Sequence, residues 1–423
     1  MLDIKEIRTH PEAIEKKLQT KEPNLSLRHL LTLDTRVREI KTETEELKAK
    51  RNTLSKQIGE RKRTGEDAAP LMDEVGRFGD RITLLDHELK AVEAEFEAEM
   101  AKLPNLPLDE VPISPSPADN VCIKTHGTKP TFSFTPKNHV ELNEHLHLFD
   151  FKRGAKLSGT GWPIYKGWGA RLEWALLQYM IDTHLKHGFE MYMLPHLVHA
   201  EAMFGAGQLP KFESQLFKLG DPDYPLYLIP TGEVPLNGLH YDEILPEEEL
   251  PKKYLAYTPC FRREAGAAGS KERGLIRVHQ FNKVEMYCYT KPEESEQVFH
   301  EMLASAERIV EGLGLHYRSM LLVTGDMSFS SAKTVDIEVY LPGQERYYEV
   351  SSVSNCTDFQ ARRSKTRFKR DGKPEFVHTL NGSGVATSRL MVGLLEANQQ
   401  ADGSVLIPEV LRPYLGGQER LLP

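Results

Sequence analysis

The chain has 423 residues, of which 27% are charged and 39% hydrophobic, and a formal net charge of −8. That length favours at least two structural units, and the composition can bury a core but excludes an evenly basic nucleic-acid binder. No run of about 18 uncharged apolar residues occurs and the opening stretch is charged throughout, so neither a membrane span nor a signal peptide is expected and the protein is placed in the cytoplasm.

The first hundred residues have their own pattern. Leu33, Val37, Ile40, Leu47, Leu54 and Ile58 recur in alternating steps of four and three, with Thr44 and Arg51 filling the skipped positions. Leu71, Val75, Phe78, Ile82, Leu85, Leu89, Val92 and Phe96 repeat the rule without a break. Such stripes are coiled-coil seams. Between them Gly65 can end one helix and Pro70 suits the first turn of the next, which predicts an antiparallel hairpin. Helices of about 30 residues would reach roughly 45 Å. Lys48, Lys50, Arg51, Lys56, Arg61, Lys62 and Arg63 make its polar flank basic. A flank of this kind is either solvated or follows the phosphates of a nucleic acid.

Repeated prolines from Pro104 to Pro117 forbid helix and predict a linker over 106–130. The expected division is a helical arm at 1–105, this linker, and a globular domain at 131–423. Amphipathic helices are expected over 171–187 and 293–313, with antiparallel strands over 257–263 and 281–289 around a Gly-rich, charged loop. The Gly-rich nucleotide loops GxGxxG after a strand and GxxxxGK[ST] are absent. Cys122, Cys260, Cys288 and Cys356 are widely spaced, so buried reduced thiols are expected and zinc is not.

Chemistry concentrates in the strand pair. On strands, Arg262 and Glu264 share one face, as do Phe281, Lys283 and Glu285. Guanidinium groups for phosphates, a ring for a base and carboxylates for amino groups could meet there, although a hairpin with surface ion pairs has the same composition.

TPCFRREAG at 258–266 followed by RVHQFNKVE at 277–285 resembles motif 2 of a class II aminoacyl-tRNA synthetase in its seryl form. GFEMYMLP at 188–195 resembles motif 1 and GSGVATSRL at 382–390 resembles motif 3, in the family order. GQLPKFE at 207–213, SNCTDFQARR at 354–363 and IPEVLRPY at 407–414 are similar to segments of seryl enzymes. The resemblance implies an α+β fold: an antiparallel β-sheet catalytic domain with helices, preceded by a coiled-coil arm. It implies activation of L-serine with ATP and Mg²⁺, transfer to the 3′ end of tRNA(Ser), a homodimer, and service to tRNA(Sec) where one exists. By the same resemblance Arg262 holds the α-phosphate and the serine carboxylate, while Arg389 and Arg277 grip the γ-phosphate. Phe281 and Arg389 sandwich adenine and Glu264 accepts from its amino group, with Arg263 beside them. Within EVSS at 349–352, Glu349 and Ser352 are Mg²⁺ positions, and Val350 and Ser351 complete the ATP segment. Thr231 and Glu233 take the serine ammonium and Glu285 with Ser383 the hydroxyl, with Gly232 between them part of the same serine-binding segment. The arm is implied to bind tRNA, reaching across the dimer.

Gly232, Ser328 to Ser331 and Ser388 depart from the family pattern without removing a charged group. Two other readings are an amino acid:carrier-protein ligase, against which the intact arm speaks, and an inactive RNA-binding paralogue, against which Arg262, Glu264, Glu285, Glu349 and Arg389 speak.

Overall fold

The computed structural model describes residues 1–264 and 273–423, and the chain divides into two compact units, Leu2–Leu103 and one built on Pro104–Pro423. The first opens with two short helices, Ile4–Thr9 and Pro11–Gln19, and then forms a hairpin of α1 (Arg28–Thr64) and α2 (Ala69–Lys102). The 37 residues of α1 reach about 55 Å at 1.5 Å per residue. Gly65 closes α1 in the left-handed conformation at φ 79°, and Asp67 Oδ1 accepts from the Ala69 amide as α2 begins. His29 with Glu95 at 3.0 Å, Arg36 with Glu88 at 2.7 Å and Arg81 with Glu43 at 2.8 Å set the antiparallel register.

The seam is buried at Leu33, Val37, Ile40, Ile82 and Leu85, but only half-buried towards the turn at Leu47, Leu54, Ile58, Leu71 and Val75. Two helices alone cannot enclose their knobs, so stability concentrates near the base. Leu85→Ala, at a fully buried seam position, is expected to cost this unit about 2–5 kcal/mol in urea unfolding followed by circular dichroism.

The second unit is organised by an eight-stranded sheet. Its strands are β1 (Val121–His126), β2 (Glu190–Tyr192), β3 (Lys252–Phe261), β4 (Gln280–Thr290), β5 (Tyr317–Leu321), β6 (Lys333–Leu341), β7 (Arg346–Asn355) and β8 (His378–Ala386). They lie in the order β1-β5-β6-β7-β8-β4-β3-β2, and every pairing is antiparallel except the short edge strand β2, which runs parallel to β3. Three helices, α3 (Trp168–Lys186), α4 (Ser295–Gly312) and α5 (Thr387–Ala397), share a continuous apolar core with the sheet. On β4, Val284, Met286 and Cys288 enter that core, so by the two-residue period Phe281, Lys283, Glu285, Tyr287 and Tyr289 face the other way. Tyr287 and Tyr289 are covered by a second cluster with Leu236, Ala361 and Phe368. Phe281, Lys283 and Glu285 are left to line an open cavity.

Three expectations need correction. The proline-rich stretch does more than connect: the Asn105 amide donates to the Phe329 carbonyl, the Leu108 amide to that of Ala332, and residues 121–126 become the edge strand β1. Its prolines forbid helix but not docking through the donors between them. The first strand of the motif 2 pair starts at Lys252 and ends at Phe261, so Arg262 and Glu264 lie past its end, with Glu264 at φ 47°. Of the cysteines, three are buried and Cys122, on the edge strand, is exposed. The Gly-rich loop expected between the strands falls on 265–272, outside the described residues. Among the described residues, no helix is long and apolar enough to cross a membrane.

Candidate active site

The cavity on the exposed side of β4 has a volume of about 730 Å³ and adjoins a smaller pocket of about 110 Å³ through Arg262, Glu264, Arg277, Lys283, Glu349 and Ser383, so the site has two differently built ends. At the first, Thr231, Glu233, Lys283 and Glu285 are all more than nine-tenths buried. Thr231 Oγ1 donates to Glu285 Oε2 at 3.0 Å and accepts from Lys283 Nζ at 2.7 Å, while Lys283 also pairs with Glu285. Glu233 opens a six-residue helix; its amide donates to Thr231 Oγ1 at 3.2 Å. Glu233 Oε1 accepts from Gln360 Nε2 at 2.5 Å and Asn381 Nδ2 at 3.0 Å. Burial, and next the charge of Glu285, push the Glu233 carboxyl up to about 7. Ser383 enters from β8, directly paired with Glu285. The result is a small, desolvated, strongly polar pocket.

Gly232 has an ordinary helical φ of −63°, so its glycine is not demanded by the backbone. A Cβ there would stand 3.1 Å from Glu285 Cβ and 3.2 Å from Thr258 Oγ1. The missing side chain therefore gives Glu285 room. The serines at 328–331 form a hydroxyl cluster beside the cavity, with Ser328 and Ser331 2.5 Å apart and Ser331 donating to Ser354 at 3.1 Å. Ser388 is buried against the second end.

That second end is lined by Arg262, Glu264, Arg277, Phe281, Glu349, Val350 and Arg389, together with Val278 and Lys283, to which the sequence assigned no role. Arg262 stacks its guanidinium over Phe281 at 5.1 Å and donates from Nε to the Pro230 carbonyl at 3.3 Å. Arg277 pairs with Glu264 at 3.0 Å. Arg389, in the first turn of α5, donates to the carbonyls of Ile276 and Glu349 at 3.1 and 3.0 Å. Arginines thus ring an aromatic face, an arrangement suited to polyphosphate and a base.

Glu349 and Ser352 are three apart and would face opposite sides of a regular strand. A register shift in β7, opposite Ile337 and Glu338, brings both to the cavity. Asp336 pairs with Ser352 across the strands. Burial, then the charge of Glu349, raise its carboxyl well above the usual range, and its Oδ1 is shut from solvent with no hydrogen-bond partner among the described residues. Sequence reasoning missed Asp336, Gln360 and Asn381, because only strand pairing brings them here.

Two assigned residues lie elsewhere. Ser351 is fully buried and its hydroxyl donates to the Ser383 carbonyl at 2.5 Å, stitching β7 to β8. Arg263 is exposed outside the cavity lining. On the arm, Lys48, Lys50, Lys56, Arg61, Lys62 and Arg63 are exposed, whereas Arg51 takes its seam position and is half-buried. A basic side chain at a seam position turns inwards with the stripe rather than out with the flank.

Residues 1–107 match the seryl-tRNA synthetase N-terminal domain, and residues 217–398 match the tRNA synthetase class II core domain (G, H, P, S and T). The serine–tRNA ligase of Chlamydia abortus is 55% identical, with 100% of both chains covered, and that of Chlamydia pneumoniae is 53% identical over 100% of this chain and 99% of its own. The seryl-tRNA synthetase of Pyrococcus horikoshii, solved with ATP, superposes with a TM-score of 0.95 at 36% identity, covering 100% of both chains. The cytoplasmic enzyme of Naegleria fowleri, solved with AMP, gives 0.90 at 27%, covering 100% of this chain and 99% of that one. From arm to core, therefore, the chain belongs to the seryl-tRNA synthetase family.

Proposed function

We propose that this chain activates L-serine with ATP, forming seryl-adenylate and pyrophosphate, and then esterifies the seryl group to the 3′ end of tRNA(Ser), and of tRNA(Sec) where one is present. The observation that carries the assignment of serine is the buried Thr231–Glu233–Lys283–Glu285 pocket, which opens beside the arginine-lined end of the same cavity. Glu233 and Thr231 receive the ammonium, and an arriving cation draws the raised Glu233 carboxyl back towards ionisation. Glu285 and Ser383 receive the hydroxyl. An analogue lacking it leaves buried acceptors unpaired and is rejected by about 10⁴–10⁵.

The serine carboxylate is already ionised, so its attack on the α-phosphorus needs no general base. Alignment and charge neutralisation supply the rate. Arg262 holds the carboxylate and the α-phosphate, Phe281 and Arg389 enclose adenine, Glu264 accepts from its amino group, and Arg277 with Arg389 holds the γ-phosphate. Glu349 and Ser352 are the oxygen donors that would hold Mg²⁺, and the orphaned Asp336 oxygen beside them fits a place where positive charge belongs. When bound, the cation neutralises charge on the phosphates.

The arm carries the RNA contact through its exposed basic flank. A homodimer is favoured by the exposed apolar side chains Met191, Met193 and Leu197 on and after β2, beside an apolar groove of about 380 Å³.

The test is amino-acid-dependent ATP–pyrophosphate exchange with serine, threonine, alanine, glycine and cysteine. Exchange with serine alone is the expected result. None with serine, in folded protein with Mg²⁺ present, would overturn the reading in favour of an inactive RNA-binding relative.

A further inference from the structure

Behind the cavity, on the helix side of the sheet, lies a carboxyl that the reaction as described does not use. Glu173, in the second turn of α3, is 5% exposed. Its Oε1 accepts from Asn282 Nδ2 at 2.8 Å and from the Thr387 hydroxyl at 2.5 Å, and that hydroxyl also stands 3.0 Å from the Asn282 carbonyl. Its Oε2 is buried with no hydrogen-bond partner among the described residues. Burial pushes the carboxyl up to about 7, so the fold accepts a real cost in keeping this group where an apolar side chain could sit.

What the cost secures is a joint between two elements that meet nowhere near each other in sequence. Asn282 sits between Phe281 and Lys283, with its own side chain turned to the opposite face of β4. Thr387 is the first residue of α5, two before Arg389. Phe281 and Arg389 line the arginine-ringed end of the cavity from different elements, whose backbones meet where Lys283 of β4 pairs with Ala386, the last residue of β8 before α5 begins. The shared oxygen of Glu173 ties together the backbone stretches that carry them.

We propose that Glu173 is a positioning residue for ATP, acting through Asn282 and Thr387 to hold Phe281 and Arg389 at the spacing the nucleotide needs. This role rests on the assignment of that end of the cavity to ATP. A group that merely stabilised the fold would weaken serine and ATP alike, because the serine pocket is built on the same strand, at Lys283 and Glu285. A joint at residues 282 and 387 acts first on the nucleotide end.

The test is ATP–pyrophosphate exchange by the full chain, with ATP and serine varied separately, alongside thermal melts. For Glu173→Ala we expect KM for ATP to rise about tenfold, the worth of one or two buried hydrogen bonds, with KM for serine within about twofold of wild type. Glu173→Gln keeps a carbonyl oxygen for both donors and should restore KM for ATP. Should the alanine variant fail to fold, Thr387→Val, which keeps the volume and removes the hydroxyl, carries the same expectation. Parallel rises in both KM values, or a lowered melting point with both unchanged, would overturn the role. Wild-type protein run beside them separates the two levels: no serine-dependent exchange there would overturn the functional reading itself, and this role with it.

Discussion

Glu285→Ala is expected to lower kcat/KM for serine activation about 10³-fold while leaving alanine activation nearly unchanged, so that discrimination between the two collapses. The expectation follows from where the carboxylate sits. Glu285 is 1% exposed, accepts from Thr231 at 3.0 Å and is paired with Lys283. In such a site, losing the substrate hydroxyl leaves a buried acceptor unpaired. Removing the carboxylate also leaves Lys283, 5% exposed, without its counter-charge, which adds a stability loss of about 3–5 kcal/mol. Glu285→Gln separates the two effects, because it keeps an acceptor for the hydroxyl and removes the charge. Exchange assays with serine and alanine, paired with melts, read both. If Glu285→Ala still distinguished serine from alanine, the hydroxyl would have to be held by other residues of the pocket.

Much of this was legible because it is local. The arm follows from a stripe of apolar residues in steps of four and three, and its turn from Gly65 and Pro70. The facing of Phe281, Lys283 and Glu285 follows from a period of two. What stayed hidden depends on pairing between distant segments. Gln360 and Asn381 reach Glu233 from 127 and 148 residues away, and nothing in their neighbours' identities announces it. Ser352 shares a face with Glu349 only because β7 shifts register, and an isolated strand pattern places them apart. Gly384 is a similar case. In the sequence it is one glycine of the motif 3 segment, but a Cβ there would stand 2.4 Å from His184 Nε2, on a helix 200 residues earlier. The prolines of 104–117 misled in the opposite direction: they exclude helix, and the docked strand that follows them depends on a partner strand about two hundred residues later.

Replacing Lys48, Lys56, Lys62 and Arg63 together by alanine is expected to lower kcat/KM for tRNA charging about 10²-fold or more and to leave pyrophosphate exchange within about twofold. All four are exposed on α1, and Lys48 and Lys62, two heptads apart, repeat on one flank about 21 Å apart. Because none of the four is a seam residue, the hairpin should keep its stability, and the weaker charging should reflect the missing phosphate partners alone. Pairing with phosphates has a signature that a folding defect lacks. Charging by wild type should weaken steeply with added salt, and the variant should show a shallower slope, by about one for each phosphate that is no longer neutralised. Arg51→Ala is the internal contrast. It is half-buried in the seam, so it should alter the stability of the arm more than the salt slope. A variant that charged tRNA as well as wild type at every salt concentration would leave the basic flank as solvated surface. The local positive charge by which a chain of net −8 holds RNA would then have to lie elsewhere.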